Sequence, residues 1–346
     1  MVNEVKANFI FNPKGDDTLA NRTIIKGNTT GLFNLNTTKY TRAKSMYQIM
    51  IGNFWIPEKV KGLGEDAIQY KSLSPEEQRA YKGILSFLIF LDSIQTVNLP
   101  NFNDYVTAPE VNLLLSIQAY QEAIHSQSYA TILETVVPSD LRDEIYYFWR
   151  SDKHLLERNE FIGGIYQKFI DNPTEENLFR GIIGNFLLES IYFYNGFAFF
   201  DTLASQTKMV ATDRMINYIR RDELTHVTIF ANIIKDIKKE FPSIFNEEIV
   251  YEMMKIAVEQ EVKWSKHILA NKIIGMNDEN VENYTKRLAN GRLAMLGLSP
   301  LYKNVITNPF KHLEALQDNN SEKGNFFEST VTNYFQSSSM KGSWDF

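Results

Sequence analysis

The chain has 346 residues, 44% of them hydrophobic and 23% charged, and its formal net charge is −6. Such a composition is typical of a globular protein with a sizeable core, and the negative charge argues against a nucleic-acid-binding surface. Cysteine is absent, which excludes disulfides, thiolate metal ligands and thiol nucleophiles. Any metal site must therefore use His, Asp and Glu side chains, a ligand set that favours iron, manganese or zinc.

Helical patterns follow a stretch rich in Asn and Thr, residues 1–40, that we predict to be loosely structured. Ser74 to Glu77 reads as a capping box that opens a helix ending near Pro100. Further helices are predicted from about Thr107 towards Pro138, from Leu141 through Trp149, after Pro173, from Ala211 to Lys239, from Asn246 to Ile274 and from Asp278 to Leu296. Strand signals are few. The sequence therefore predicts one helical domain, residues 41–316, and a flexible tail rich in Ser and Asn, residues 317–346.

One apolar segment raises the question of a membrane. Gly181 to Phe200 is long enough to span a bilayer and carries a single charge, Glu189. Asn185 and Asn195 lie inside the segment and no Lys/Arg-rich flank borders it, so we expect a buried core helix and no membrane contact. Residues Met1 to Asn12 show no signal-peptide pattern, and the expected location is the cytoplasm.

Two Glu-x-x-His motifs provide candidate metal ligands: Glu122 with His125, and Glu223 with His226. On a helix, residues i and i+3 share a face, so both side chains of each motif can reach one ion. Taken alone, each pair is more often an exposed helix face than a ligand pair.

Two isolated acids favour metal ligands over exposed helix faces. Asp92 follows an all-apolar run and Glu189 lies within another, and a buried carboxylate must be neutralised, paired or bound to metal. Asp92 precedes Glu122 by 30 residues and Glu189 precedes Glu223 by 34, intervals that suit two pairs of antiparallel helices. Four acids and two imidazoles on four helices are the dinuclear carboxylate site of ferritin-like bundles. Hard oxygen ligands of this number suit two iron or manganese ions.

Two nearby residues extend the candidate site. Tyr129 lies four residues after His125, one helical turn along the same face, within reach of electron transfer to a metal pair. The alternative for Tyr129 is an ordinary core tyrosine. Asp222 directly precedes Glu223 and is a candidate acceptor for the N–H of a ligand histidine. The alternative for Asp222 is an exposed charge on the helix.

Four segments carry a family resemblance: Leu91–Gln95, Glu122–Tyr129, Glu189–Phe197 and Arg221–His226. They resemble the radical-generating small (beta) subunit of class I ribonucleotide reductase, over most of the chain, and all six ligand positions of that family are filled in order. The resemblance implies two iron or manganese ions per chain that react with oxygen, or with an oxidant delivered by a flavodoxin-like activator. It also implies that the oxidised pair generates a tyrosyl radical on Tyr129.

The same resemblance assigns an apolar radical pocket to Phe193, Phe197 and Ile219. A phenoxyl radical survives only where water and reductants are kept away, and apolar side chains serve that purpose. The alternative for all three residues is ordinary core packing.

The resemblance further implies a path for the radical out of the site. The path runs through His125, Asp222 and Trp55 to Tyr334 in the tail, and then to a cysteine of the large subunit. Since this chain has no cysteine, it supplies the radical, and the large subunit reduces ribonucleotides to deoxyribonucleotides. The tail ending in Gly342 to Phe346 is expected to dock on that partner, and the family implies a homodimer.

Two features mark a branch of the family. Gln118 stands where some iron-using members have tryptophan, and the chain ends in Trp-Asp-Phe. Both fit the bacterial class Ib branch, which is able to use manganese or iron. The tail after Tyr334 carries a single acid, Asp345, which is a departure from the family pattern.

Two other functions are compatible with a dinuclear site in a helical bundle. One is a ferritin-like oxidase or monooxygenase that acts on a small organic substrate, and the other is an iron-storage or purely structural bundle. The oxidase needs neither a relay tryptophan such as Trp55 nor a docking tail. Iron storage needs a cage-forming chain, which is usually much shorter, and does not require Tyr129 in an apolar pocket. Deleting the tail distinguishes these functions, because only the reductase subunit should lose partner binding while keeping its metal and radical.

Overall fold

The computed structural model describes residues 3–305 and 307–313. The α-helices in these residues are α1 (Thr41–Gly52), α2 (Leu63–Tyr70), α3 (Pro75–Asn103), α4 (Pro109–Val136), α5 (Arg142–Ser151), α6 (Lys153–Asp171), α7 (Glu175–Leu187), α8 (Tyr194–Ser205), α9 (Val210–Glu240), α10 (Glu247–Leu269) and α11 (Asp278–Met295). Extended pairing in the same residues is limited to isolated β-bridges. The predicted all-α class is confirmed.

Helix α3 begins at the predicted capping box. The Ser74 side chain accepts a hydrogen bond from the Glu77 amide, and the Glu77 carboxylate accepts one from the Ser74 amide. The helix contains Pro100 and runs on to Asn103, slightly beyond the predicted end. A proline this close to the C-terminus removes one backbone donor from the last turns, so the helix tolerates it.

One helix of the structure was not predicted, and one predicted helix is divided. The helix predicted from Leu141 is followed by a separate helix, because the Asp152 side chain accepts hydrogen bonds from the amides of His154 and Leu155 and starts α6. The helix predicted through Glu189 consists of α7, a π-helical segment over Leu188–Tyr192, called here the π turn, and α8. Glu189 lies in the π turn.

The apolar segment of residues 181–200 forms the α7–α8 region and is buried apart from Gly196, which is half-buried. The expected core helix is therefore present, although divided. A different helix, α3, is long and apolar enough to cross a bilayer by length and composition, and 67% of its most apolar window is buried inside the protein.

The segment before α1 has no helix among its described residues, but it is fastened to α4. Arg22 Nη1 lies 3.0 Å from Glu110 Oε2 in a buried ion pair. Glu110 Oε1 accepts hydrogen bonds from the amides of Lys39 and Tyr40. These contacts hold the segment in place without regular secondary structure. The tail predicted over residues 317–346 lies outside the described residues.

Candidate metal centre

The structure brings the six predicted ligands together in the middle of the bundle. Helix α3 carries Asp92, α4 carries Glu122 and His125, the π turn carries Glu189, and α9 carries Glu223 and His226. Each of the six side chains has zero solvent exposure. Because the chain returns four times through the same core, residues up to 134 positions apart meet at one site.

The six side chains form two overlapping groups. One consists of Asp92, Glu122, His125 and Glu223, and the other consists of Glu122, Glu189, Glu223 and His226. Within each group, the candidate ligand atoms lie within 4.8 Å of one another. Glu122 and Glu223 belong to both groups.

Two of the carboxylates lie close to both histidines. The Nδ1 atom of His125 lies 3.3 Å from Glu122 Oε2 and 3.0 Å from Glu223 Oε1. The Nδ1 atom of His226 lies 3.1 Å from Glu122 Oε1 and 2.7 Å from Glu223 Oε2. Each of these two carboxylates therefore turns one oxygen to each histidine.

The other two acids each serve one side. Asp92 Oδ2 lies 3.8 Å from His125 Nδ1, and Glu189 Oε2 lies 3.6 Å from His226 Nδ1. This arrangement offers two adjacent positions for ions, each with one histidine, one terminal carboxylate and two shared carboxylates.

The donor atoms fit two divalent cations. Neither oxygen of Asp92 nor of Glu122 makes a hydrogen bond within the described chain, and the same is true of His125 Nδ1, Glu189 Oε2 and Glu223 Oε1. Buried polar atoms without partners are costly, and these atoms all face one cluster. Four ionised carboxylates balance the charge of two divalent ions, and oxygen with imidazole nitrogen is a ligand set that suits iron and manganese.

The pKa values of the cluster indicate which of its groups hold protons when no metal is bound. Burial raises the pKa of Asp92 and of Glu189 well above the usual carboxyl range, and neighbouring carboxylates add to both shifts. Burial opposes the charged form of His125 and His226, but the Glu223 carboxylate and other nearby acids outweigh it and raise both pKa values. The metal-free site therefore retains protons that bound cations would displace.

Each ligand histidine has a second partner on its outer side. His125 Nε2 lies 3.4 Å from Asp222 Oδ2, and His226 Nε2 lies 3.0 Å from Gln121 Oε1. Since Nδ1 faces the carboxylates in both rings, the hydrogen of the neutral imidazole is placed on Nε2 and is donated to these oxygens. Such partners fix the tautomer and the orientation of a ligand histidine.

Glu189 is held by two buried amides. Gln95 Nε2 donates to Glu189 Oε1 at 2.5 Å, and Gln118 Nε2 donates to the same oxygen at 2.8 Å. The Tyr166 hydroxyl donates in turn to Gln95 Oε1 at 2.9 Å. These bonds leave Glu189 Oε2 directed at the cluster.

Tyr129 is fully buried in α4, and its hydroxyl makes no hydrogen bond within the described residues. Burial raises the pKa of the Tyr129 phenol well above its usual value, and the Asp92 carboxylate adds to the shift. The predicted pocket residues Phe193, Phe197 and Ile219 are at most 1% exposed, and the rings of Phe193 and Phe197 stack with centroids 5.7 Å apart.

Trp55 connects the cluster to the protein surface. Trp55 Nε1 donates a 2.8 Å hydrogen bond to Asp222 Oδ2, the same oxygen that faces His125. Asp222 is fully buried, so the alternative of an exposed charge is wrong. Trp55 also lines an apolar cavity of about 450 Å³ between α1 and α4. Tyr334, the predicted end of this path, lies outside the described residues.

Sequence reasoning did not identify the residues that hold the ligands from outside the cluster. Gln121, Gln95 and Tyr166 are polar side chains without a motif, and their partners are 105, 94 and 71 residues away in the chain. Gln118 was noted only as a marker of a branch. The one available signal was that each of the glutamines lies within four residues of a predicted ligand.

Comparisons with known proteins give a consistent result. The family model for "Ribonucleotide reductase, small chain" matches residues 32–309. The ribonucleoside-diphosphate reductase subunit beta of Treponema pallidum is 43% identical over 336 residues, covering 96% of this chain and 95% of that protein. The corresponding subunit of Halalkalibacterium halodurans is 39% identical over 322 residues, covering 92% and 93%.

Solved structures agree with this result. The ribonucleotide reductase R2 subunit from Clostridium botulinum superposes with a TM-score of 0.88 at 47% identity, covering 91% of this chain and 99% of that one. The dimanganese(II) protein NrdF of Streptococcus sanguinis has a TM-score of 0.69 at 21% identity, covering 81% and 98%, and it supports the fold alone.

Proposed function

The chain belongs to the ribonucleotide reductase small-chain family, and we propose that it generates a radical on Tyr129 and passes it through Asp222 and Trp55. Its function is that of the small, beta subunit of ribonucleoside-diphosphate reductase, an oxidoreductase that works with a large subunit. The relatives from Treponema pallidum and Halalkalibacterium halodurans are both named as subunits of this enzyme, which argues against the oxidase and iron-storage alternatives. The buried cluster of four carboxylates and two histidines carries the proposal.

Two iron or manganese ions are the cofactor that this cluster suits. In the proposal, Asp92 and His125 would hold one ion, Glu189 and His226 would hold the other, and Glu122 and Glu223 would be shared by both. When bound and oxidised, the two ions supply a one-electron oxidant. Asp222 and Gln121 keep the histidine rings in place by accepting their outer N–H groups.

Tyr129 is the proposed electron donor. Loss of one electron and the phenolic proton leaves a neutral phenoxyl radical, and Asp92 is the carboxylate best placed to accept that proton. A hydroxyl with no solvent exposure suits a radical that must survive. The buried apolar residues Phe193, Phe197 and Ile219 are proposed to exclude water from it.

The shared oxygen of Asp222 supports the proposed relay. One carboxylate oxygen faces both the outer nitrogen of a ligand histidine and the indole N–H of Trp55, which is 8% exposed. This geometry provides a short hydrogen-bonded connection from the cluster towards the surface. Tyr334 in the tail is proposed as the next residue, before the large subunit.

Electron paramagnetic resonance tests the radical assignment. Metal-free protein is loaded anaerobically with Fe(II) and exposed to oxygen, and we expect a tyrosyl doublet at low temperature. Tyr129→Phe should retain two irons per chain and lose the doublet, whereas Tyr81→Phe, a matched change at another buried tyrosine whose hydroxyl contacts Thr212, should retain it. A doublet that persists in Tyr129→Phe, or a loss of metal in that variant, contradicts the assignment.

Manganese with an activator is the other proposed working form. If iron-loaded protein shows no tyrosyl doublet after exposure to oxygen, Mn(II)-loaded protein with a flavodoxin-like activator should develop it. A silent result under both conditions, with two ions bound, contradicts radical generation while leaving the metal site in place.

A homodimer is part of the proposal. Phe9, Ile10 and Phe11 are 69%, 99% and 79% exposed, and an adjacent segment with the exposed residues Leu32 and Phe33 is joined to theirs by backbone hydrogen bonding. Exposed apolar patches mark interaction surfaces. Light scattering should give twice the chain mass, and Ile10→Asp should lower the measured mass.

A cytoplasmic location is also proposed. Helix α3 is proposed to stay in the helical bundle and not to enter a membrane, because it carries the candidate ligand Asp92.

A further inference from the structure

The rotation of the α7–α8 region about its own axis is not set by hydrophobic burial. Residues 181–200 are buried on every side apart from the half-buried Gly196. A helix that is apolar all round has no polar face to direct outward, so its burial is nearly the same at any rotation. The direction of Glu189 must therefore be fixed by polar contacts.

The π turn makes this direction sensitive to local geometry. A π-helical segment accommodates an extra residue in an α-helix, and one residue corresponds to a rotation of about 100° in a regular helix. If Leu188–Tyr192 reverted to α-helical geometry, Glu189 would turn by that amount relative to α8. Glu189 Oε2 would then no longer face His226.

Downstream of the turn, α8 has its own anchor. Asn195 Nδ2 donates to Ser265 Oγ at 3.0 Å and to Thr285 Oγ1 at 2.8 Å. These bonds tie α8 to α10 and α11. The π turn therefore allows α8 to keep these contacts while Glu189 is directed at His226.

Two arginines from other helices donate to backbone carbonyls of the π turn. Arg158 Nη2, on α6, lies 3.3 Å from the carbonyl oxygen of Tyr192, and Arg292 Nε, on α11, lies 3.4 Å from that of Ser190. A π-helical segment changes the regular backbone pairing of an α-helix, and a carbonyl there can accept a further hydrogen bond from a side chain. The two guanidinium groups supply it.

The Arg158 side chain is unusually well fixed. It is 1% exposed and pairs with Glu261 of α10, whose side chain is also 1% exposed. Its guanidinium lies over the ring of Phe87 at 3.6 Å and over that of Tyr192 at 4.8 Å. A fully buried ion pair gives little net stability against an apolar replacement, so stability alone does not account for it.

We infer that Arg158 is a positioning residue which, with Glu261 as its counter-ion and with help from Arg292, holds the π turn so that Glu189 faces the second metal position. The inference rests on the proposed role of Glu189 as a metal ligand. It assigns no chemistry to Arg158, which acts only through the backbone of the π turn.

Manganese binding to the full chain tests this inference. The variant Arg158→Met/Glu261→Gln neutralises both members of the pair, so no buried charge is left alone, and Gln can still accept from Ser265. The matched control is Arg22→Met/Glu110→Gln, which makes the same change at a buried pair at the far end of α4. Calorimetric titration with Mn(II) should show two ions per chain in the wild type and in the control. In the test variant, affinity for one ion should fall about tenfold or more.

Two further readouts separate positioning from general stability. Electron paramagnetic resonance of the test variant at one Mn(II) per chain should show the six-line signal of an isolated ion. Hydrogen exchange in the metal-free protein should be faster in a peptide spanning residues 188–197 and unchanged in a peptide from α4.

The outcomes are distinguishable. A wild type that does not bind two ions contradicts the proposed ligand set and not the role of Arg158. Two ions bound by the test variant with unchanged affinities and unchanged exchange overturn the inference, and so does an equal loss in the control. If the test variant fails to fold, Arg292→Met, a change at a half-buried side chain, should weaken one ion in the same direction, and an unchanged titration overturns the inference.

Discussion

Replacement of Asp222 tests the connection between the metal site and Trp55. Its Oδ2 atom accepts from Trp55 Nε1 at 2.8 Å and faces His125 Nε2 at 3.4 Å, in a fully buried environment. Asp222→Ala leaves two buried N–H donors without an acceptor. Each such donor costs about 1–3 kcal/mol, and the longer contact to His125 belongs at the low end. We therefore expect a total loss of about 2–5 kcal/mol in the free energy of unfolding.

Asp222→Asn is the matched control. Asn can place its carbonyl oxygen where Oδ2 lies and accept from both donors, so the control removes the charge and keeps the hydrogen bonds. Urea unfolding of the metal-free protein measures both variants. In a double-mutant cycle with Trp55→Phe, which removes one donor, the cost of Asp222→Ala should fall by about 1–3 kcal/mol.

The same variants report on function. Asp222→Ala should still form the Tyr129 doublet when metal is supplied in excess, because Asp222 orients His125 but is not itself a proposed ligand, and it should lose turnover when assayed with the large subunit. A difference of less than about 1 kcal/mol between the Ala and Asn variants would refute the reasoning, since neither donor would then depend on this carboxylate. Full turnover in Asp222→Ala would refute the relay.

Three further predictions concern the metal site. Glu122→Gln should weaken both Mn(II) ions in a calorimetric titration and Glu189→Gln only one, because Glu122 faces both histidines; equal effects would contradict the bridging assignment. Gln121→Leu removes the acceptor for His226 Nε2 and should weaken one ion about tenfold or more; two weakened ions in the same titration would contradict this role. The pKa of His226 is raised in the folded metal-free protein, so its contribution to stability is complete below the unfolded pKa of about 6.5 and declines as pH rises from there towards the raised folded pKa. Scanning calorimetry should show the Tm of metal-free protein falling in that range more steeply than that of Mn(II)-loaded protein, and parallel curves would contradict the assignment.

The candidate ligands could be proposed from the sequence because their signals are local. The i, i+3 spacing of Glu122 and His125 implies a shared helix face, and Asp92 and Glu189 are conspicuous as charges in apolar runs. The intervals between them match the length of antiparallel helix pairs. Burial, helix period and ligand chemistry therefore suffice to propose a dinuclear site without any knowledge of the fold.

The presence of the helices could be predicted from the sequence equally well. The positions at which one helix ends and the next begins could not. The capping box at Ser74 is a local motif and appears as predicted. Asp152 starts a new helix through hydrogen bonds that the pattern of apolar residues does not reveal. The π turn at Glu189 has no sequence signature, because an all-apolar segment looks the same in α- and π-helical geometry.

The sequence by itself determined the all-helical class, the set of acids and histidines and the family resemblance, since each depends on residue types at short spacing. Only the tertiary structure decided which carboxylates face both histidines, which oxygens accept from the outer nitrogens of His125 and His226, and which arginines contact the π turn. The physical reason is range: helix periodicity acts within a few residues, whereas Gln121, Arg158 and Trp55 meet their partners only after distant helices have packed.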